Sequence, residues 1–90
     1  MISKDIIESK IILDSIDVIM LRIIEGKHTL TLGELFKETG ISHKGGILHI
    51  KRLLPLRLFV INRGKDEKWR FKYISLNERG RRLLVFLNYN

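Results

Sequence analysis

Basic side chains are concentrated in the second half of this sequence, where their number and position suit contact with a polyanion. Residues 42–90 contain twelve lysines and arginines against three acids, whereas residues 1–41 contain five bases and seven acids. The two parts therefore carry net charges of +9 and −2. Solubility alone does not require charges to be segregated in this way. The segregation predicts a surface that binds nucleic acid, the commonest polyanion in a cell.

One segment of this basic half, residues 42–54, has the pattern of a helix that presents side chains to such a partner. Ser42 is a suitable N-cap, and Pro55 disfavours helical geometry in the residue before it. Ile50 and Leu53 are expected to face inward, with Leu54 beside them. The candidate DNA contacts on the helix are Ser42, His43, Lys44, Ile47, Leu48, Lys51 and Arg52.

These side chains have different partners on duplex DNA. Ile47 and Leu48 suit contact with thymine methyl groups, and Lys44 and Lys51 suit phosphates. Lys44 is also a possible donor to guanine acceptors. His43 has two readings that we weigh equally, a donor to guanine or phosphate and an exposed turn residue without a partner.

Two further features of the same helix concern its packing. Gly45 and Gly46 each cost about 1 kcal/mol of helix stability relative to alanine. Either the helix begins nearer Gly46 than Ser42, or the missing side chains allow a close approach to DNA or to a neighbouring helix; we favour the later start. His49 lies nearer the core and is expected to be packed and hydrogen-bonded.

A second group of cations follows in a charged loop between two predicted strands, residues 58–62 and 69–75. The candidate contacts of this wing are Arg63, Lys65 and Lys68. Arginine and lysine at a hairpin tip enter narrow minor grooves or bind phosphate. The alternative is a solvated tip whose charge is partly cancelled by neighbouring acids.

Aromatic residues alternate with cations in the second of these strands. Trp69, Phe71 and Tyr73 would lie on one face and Arg70 and Lys72 on the other. An exposed aromatic strand is typical of proteins that stack single-stranded bases. We favour core packing instead, because a small domain needs its large aromatic side chains inside.

Three more helices are expected around these candidate contacts. Residues 15–25 follow a cap at Asp14 or Ser15 and stop at Gly26. The inward stripe of this helix is Ile16, Ile19, Met20, Ile23 and Ile24. Residues 31–40 begin with a capping box that pairs Thr31 with Glu34. Residues 77–88 form the last helix.

This order of elements, together with two motifs, resembles winged helix-turn-helix proteins of the ArsR, MarR and PadR-like types. Ile41-Ser42, followed by His49-Ile50-Lys51-Arg52-Leu53, is similar to the recognition helix of the ArsR type. Leu76-Asn77-Glu78-Arg79-Gly80-Arg81-Arg82-Leu83-Leu84 is similar to the junction between wing and last helix in the MarR and PadR-like types. The resemblance implies a single α+β, mostly α domain over residues 1–90. It has a three-helix core, a two-stranded β-hairpin wing at residues 57–75 and a C-terminal helix.

The resemblance also implies a function. We expect a sequence-specific, double-stranded-DNA-binding, dimeric transcriptional regulator that reads the major groove with the helix at 42–54 and the minor groove or phosphates with the wing. The alternative is a winged-helix module that serves protein interaction or the architecture of a larger assembly. Cations on both the helix and the wing favour DNA. An isoleucine- and lysine-rich composition without alanine, glutamine or cysteine points to an AT-rich genome and a hot, thermophilic habitat. The resemblance is to such regulators of archaeal or archaeal-virus type.

Apolar residues in excess of a small core predict a homodimer. They lie in the N-terminal extension, residues 1–13, and on the first and last helices. The candidate interface residues are Ile6, Ile7, Ile11, Val18, Leu21, Val85 and Phe86.

Other function classes lack the residues that they need. The histidines have neither an i,i+4 pair nor cysteine partners, and the sequence contains no phosphate-binding glycine loop or nucleophile motif. No enzyme activity, cofactor or metal site is therefore expected. The richest apolar stretch, residues 11–24, is interrupted by Asp14, Asp17 and Arg22, so neither secretion nor membrane insertion is expected. The expected location is the cytoplasm.

Overall fold

Capping side chains fix where the helices of this protein begin. The computed structural model describes residues 13–62 and 68–88, and within them lie four helices and three strands. In chain order these are α1 (Ser15–Lys27), β1 (Leu30–Thr31), α2 (Leu32–Thr39), α3 (His43–Leu53), β2 (Phe59–Ile61), β3 (Tyr73–Leu76) and α4 (Glu78–Asn88). Two 3₁₀ turns, Leu54–Leu56 and Trp69–Phe71, complete the order. The predicted α+β, mostly α winged-helix architecture is confirmed. Within these residues, no helix combines the length and the hydropathy needed to cross a membrane.

The helix caps follow the sequence motifs. In the capping box of α2, the Thr31 hydroxyl accepts from the Glu34 N–H at 3.1 Å, and Glu34 accepts from the Thr31 N–H at 2.9 Å. That second bond is the main reason why the pKa of Glu34 lies below its usual value. The Asn77 side chain caps α4 by accepting from the Gly80 N–H at 2.8 Å. Helix α2 therefore begins at Leu32, directly after Thr31, and α4 begins at Glu78, directly after Asn77.

The wing sheet has one strand more than the predicted hairpin. β3 lies in the centre of an antiparallel sheet with the order β1-β3-β2. Ile74 of β3 is fully buried and is paired with Leu30 of β1 and Ile61 of β2. Because the Lys72 N–H donates to the Trp69 carbonyl at 3.0 Å, residues 69–71 close into a 3₁₀ turn instead of extending the strand.

The buried face of α1 differs from the predicted stripe. Met20, Leu21 and Ile24 lie in the core, whereas Ile19 is 47% exposed. Apolar residues occupy most positions of this helix, so its spacing allows more than one inward face. Leu21, predicted at a dimer interface, is fully buried within its own chain, which corrects that assignment. The helix also passes Gly26, where the sequence predicted its end, and ends at Lys27.

The two glycines of α3 serve the packing of the helix-turn-helix. The helix begins at His43, directly after its Ser42 cap, so the later start that we favoured is wrong. A Cβ atom at position 46 would lie 2.4 Å from the ring of Phe36 in α2. The missing side chain of Gly46 therefore allows α3 to approach α2 closely.

A buried carboxylate joins α1 to α3. Asp17 is fully buried; it accepts from the Asp14 N–H at 3.0 Å, from His49 Nδ1 at 2.8 Å and from the Arg52 guanidinium. Arg52 also donates to Asp14 at 3.2 Å. An ionised carboxylate is an acceptor only, so Nδ1 of His49 carries the proton of their bond. His49 is thus packed and hydrogen-bonded, as predicted.

This network perturbs the charged groups at its edge. The Asp17 N–H donates to Asp14 at 2.8 Å, which is the main reason why the pKa of Asp14 lies below its ordinary value. The hydrogen bond to Asp17 is the main cause that raises the pKa of Arg52. Asp14, Asp17 and His49 bring possible ligand atoms within 4.8 Å of one another. The guanidinium of Arg52 already supplies the cation of this cluster.

We expect Asp17→Asn to lower the free energy of unfolding by about 3 kcal/mol, because the amide group brings its own donor to a buried site already surrounded by donors. Urea unfolding followed by circular dichroism measures the loss. Asp14→Asn is the matched control: it keeps an N-cap acceptor at an exposed position, so stability should change little. Equal losses of stability in the two variants would contradict the conclusion that the buried carboxylate of Asp17 stabilises the fold more than the exposed carboxylate of Asp14.

Gly80→Ala should destabilise the fold by about 1–3 kcal/mol or more, since an added Cβ would lie 2.1 Å from the backbone oxygen of Leu58. Gly26→Ala is the control, because a Cβ there meets no atom within 4 Å and replaces glycine in a helix. It should stabilise the protein by about 0.5–1 kcal/mol. Thermal unfolding measures the change in stability of both variants. A Gly80→Ala protein as stable as the unmodified one would show that α4 can move away from the wing.

Candidate nucleic-acid interface

Helix α3 presents a charged and apolar outer face to solvent. Lys44, Leu48 and Lys51 are exposed, and Leu48 at 63% is the most exposed large hydrophobic side chain of the described residues. Ile47 is half-buried and packs against the core beside them. Neither lysine has an ion-pair partner within the part of the chain that the structure describes. The face therefore carries two uncompensated cations around an apolar centre.

The first turn of α3 is fixed by neighbouring groups. The hydroxyl of Ser42 is occupied as the N-cap and accepts from the Gly45 N–H at 3.1 Å. The His43 imidazole is exposed, and its ring meets that of Phe36 edge to face with 5.6 Å between centroids. His43 therefore has an aromatic partner, unlike the free turn residue that the sequence allowed.

Arg70 and Lys72, on the wing side of α3, extend this face, and the sequence analysis did not name them as DNA contacts. Lys51 and Lys72 line a shallow depression together with Trp69, between the helix and the wing. The Lys72 ammonium lies 6.0 Å from the centroid of the Trp69 ring. Arg70 and His43 line a second depression beside the first turn of α3. The only signal for Arg70 and Lys72 was their alternation with aromatic residues.

The arginine of α3 is paired with α1. The sequence assigns Arg52 to the DNA-contacting set, and in the structure its guanidinium is bound to the carboxylates of Asp14 and Asp17 in α1. The side chain is still 49% exposed, and its predicted DNA contact stays a prediction. Arg79, Arg81 and Arg82 are also engaged, with the carbonyls of Leu56 and Leu76 and with the carboxylate of Glu78. The carboxylates of Asp14, Asp17 and Glu78 therefore compensate part of the positive charge of the basic half.

The wing contacts are only partly described. Lys68 is exposed at the start of the 3₁₀ turn. Arg63 and Lys65 lie outside the described residues, so their predicted contacts stay predictions.

The wing aromatics do not all pack in the core. Trp69 is half-buried against it, but Phe71 and Tyr73 are about half exposed, which corrects the expected core packing for these two. The 3₁₀ turn breaks the strand alternation that would have placed all three rings on one face.

The predicted dimer residues are found in three different situations. Ile6, Ile7 and Ile11 lie outside the described residues. Val18 is half-buried on α1, and Leu21 is in the core. On the described parts of α1 and α4, the large apolar residues that reach the surface are Ile19, Val85 and Phe86.

Comparison with known proteins supports the fold but does not assign this chain to a family. No family model matches the chain, and no curated protein matches it. MarR, the multiple antibiotic-resistance repressor of Listeria monocytogenes, superposes with a TM-score of 0.75 and 18% identity, over 87% of this chain and 51% of its own. Staphylococcus aureus MarR in complex with salicylate and kanamycin superposes with a TM-score of 0.74 and 24% identity. The match covers 92% of this chain and 54% of that protein's chain.

A third structure concerns Bordetella bronchiseptica BpsR and the regulation of its DNA binding by 6-hydroxynicotinic acid. It gives a TM-score of 0.76 and 19% identity, over 86% of this chain and 58% of its own. This chain thus spans little more than half the length of the solved structures that it matches. The resemblance to MarR-type winged-helix proteins is confirmed in three dimensions, and the fold is the one that these regulators share.

Proposed function

We propose that this chain binds double-stranded DNA and acts as a transcriptional regulator, with α3 in the major groove and the wing at the minor groove or phosphates. The observation that carries the proposal is the outer face of α3, where Lys44 and Lys51 stand exposed without an ion-pair partner among the described residues. An α-helix fits the major groove, and cations on its flanks neutralise phosphates.

The surroundings of α3 support the same function. Arg70 and Lys72 extend the positive face toward the wing, and Lys68 lies near the start of the same turn. Arg63 and Lys65, in the loop outside the described residues, are proposed to grip phosphates or the minor groove. Among the solved structures that share the fold, the Listeria protein is a repressor, and regulated DNA binding is described for the Bordetella protein.

The alternative, a module for protein interaction or assembly, has no specific observation in its favour. An interaction module does not need cations on both the recognition helix and the neighbouring turn of the wing. It would bind duplex DNA with little dependence on salt concentration, or would not bind it.

We expect duplex binding with a log-log salt slope between roughly −3.5 and −5.5 per chain, because about four to six phosphate contacts each contribute about −0.9. Fluorescence anisotropy over a series of salt concentrations measures this slope. Lys51→Gln should reduce its magnitude by about 0.9. Arg82→Gln removes the same charge from α4, where the side chain is paired with Glu78, and should leave the slope unchanged.

A log-log salt slope near zero for the unmodified protein would contradict the proposal. Equal changes of the salt slope in the two glutamine variants would instead mean that binding depends on the net charge of the protein and not on the face of α3. Preference for single strands over duplex would move the contact to the exposed rings of Phe71 and Tyr73.

We also propose that the regulator is a homodimer, joined through the N-terminal segment, α1 and α4. Val85 of α4 is 55% exposed, and Ile19 of α1 is 47% exposed. Burial of several such side chains, at about 1.5–3 kcal/mol each before association costs, is enough for a stable dimer. Two copies would place their recognition helices about 34 Å apart and read a palindrome.

Sedimentation equilibrium should give twice the chain mass of 10.6 kDa at micromolar concentration. Val85→Glu should shift the protein toward the monomer, because it places a charge in the apolar contact. Val60→Glu is the matched control, since Val60 is 56% exposed but lies on the wing sheet. A monomer at all concentrations, or equal effects of both variants, would contradict the proposed interface.

A further inference from the structure

The most exposed large apolar side chain among the described residues is placed where a recognition helix meets base edges. Leu48 is 63% exposed on α3. At 100° per residue it points about 160–200° away from Gly46 and Ile50, the buried residues of the same helix. Leu48 is thus the centre of the outer face rather than its margin.

The neighbours of Leu48 leave this centre free to reach the floor of the groove. Gly45, three residues earlier, has no side chain that would hold the helix away. Lys44 and Lys51 are about 10 Å apart along the helix axis, on either side of Leu48. This spacing suits contacts with phosphates that flank a base pair read in between.

Most of the usual polar readers of bases are not available on this face. Arginine or lysine pairs with guanine, and asparagine or glutamine pairs with adenine. Helix α3 contains no asparagine or glutamine, and its arginine, Arg52, is bound to α1. The outer face therefore has an apolar group at its centre, with Lys44 before it and Lys51 after it along the helix axis.

The apolar group that a base edge presents in the major groove is the 5-methyl group of thymine. Contact between Leu48 and this methyl group removes apolar surface of both from water. Opposite cytosine, the same leucine would face an amino group that loses hydration without gaining a partner. We propose that Leu48 is a specificity-determining residue that recognises thymine by its 5-methyl group. The proposal rests on the duplex-DNA binding proposed above.

The test uses the full chain and a duplex selected from a random-sequence pool, resynthesised with deoxyuridine in place of each thymidine in turn. Uracil lacks the methyl group and keeps the base pair. At one or two positions we expect uracil to weaken binding about fourfold, the effect of removing one buried methyl group. At those positions, 5-methylcytosine should bind more tightly than cytosine by a similar factor.

Two variants separate a contact with Leu48 from an effect of uracil on the duplex. Leu48→Ala is at an exposed position, so it should fold normally and should bind the thymine and uracil duplexes equally. Lys51→Ala should weaken binding to both duplexes and keep their ratio.

Each other outcome is decisive. If the unmodified protein binds the two duplexes alike at every position, the proposal is wrong while DNA binding stands. If Leu48→Ala keeps the difference, the cause is DNA shape, and the proposal is wrong as well. If no duplex is bound, the proposed function fails together with it.

Discussion

The position of helix α3 depends on one buried carboxylate. Asp17 in the first turn of α1 is removed from solvent, and it is satisfied by the backbone of Asp14, the imidazole of His49 and the guanidinium of Arg52. A buried charge is tolerated only when its acceptor sites are filled, so α1 and α3 are held at the one separation that fills them. The same network pairs Arg52 with two carboxylates of α1, whereas Lys44 and Lys51 of α3 have no ion-pair partner among the described residues.

Close backbone approach is the second constraint on this small domain. Gly46 lets α3 lie against the ring of Phe36 in α2, and Gly80 lets α4 approach the carbonyl of Leu58 before the wing. In both places a methyl group would overlap a neighbouring atom. The glycines cost helix stability in isolation, and packing between elements offsets that cost. They occupy the junctions that set the recognition helix and the wing relative to the core.

Charge on this protein is divided between internal and external partners. Arg79 and Arg81 donate to backbone carbonyls at the wing junction, and Arg82 pairs along its own helix. The lysines of α3 and Lys68 are exposed and have no ion-pair partner among the described residues. A positive net charge by itself therefore does not locate the proposed interface, whereas exposed cations beside an exposed Leu48 support it. The proposed surface would combine phosphate contacts that give affinity with an apolar group able to distinguish bases.

Local chemistry in the sequence determined the helix caps and the order of most elements, because these depend on residues a few positions apart. The mostly α winged-helix class followed from the resemblance of that order and of two motifs to known proteins. Tertiary structure alone decided which of several apolar faces of α1 turned inward, that β1 joined the wing and that residues 69–71 left the strand. It also decided that Arg52 faced α1 and that Gly46 faced Phe36. These outcomes depend on contacts between residues far apart in the chain, and neither the 3.6-residue nor the two-residue period specifies the partner that a side chain meets.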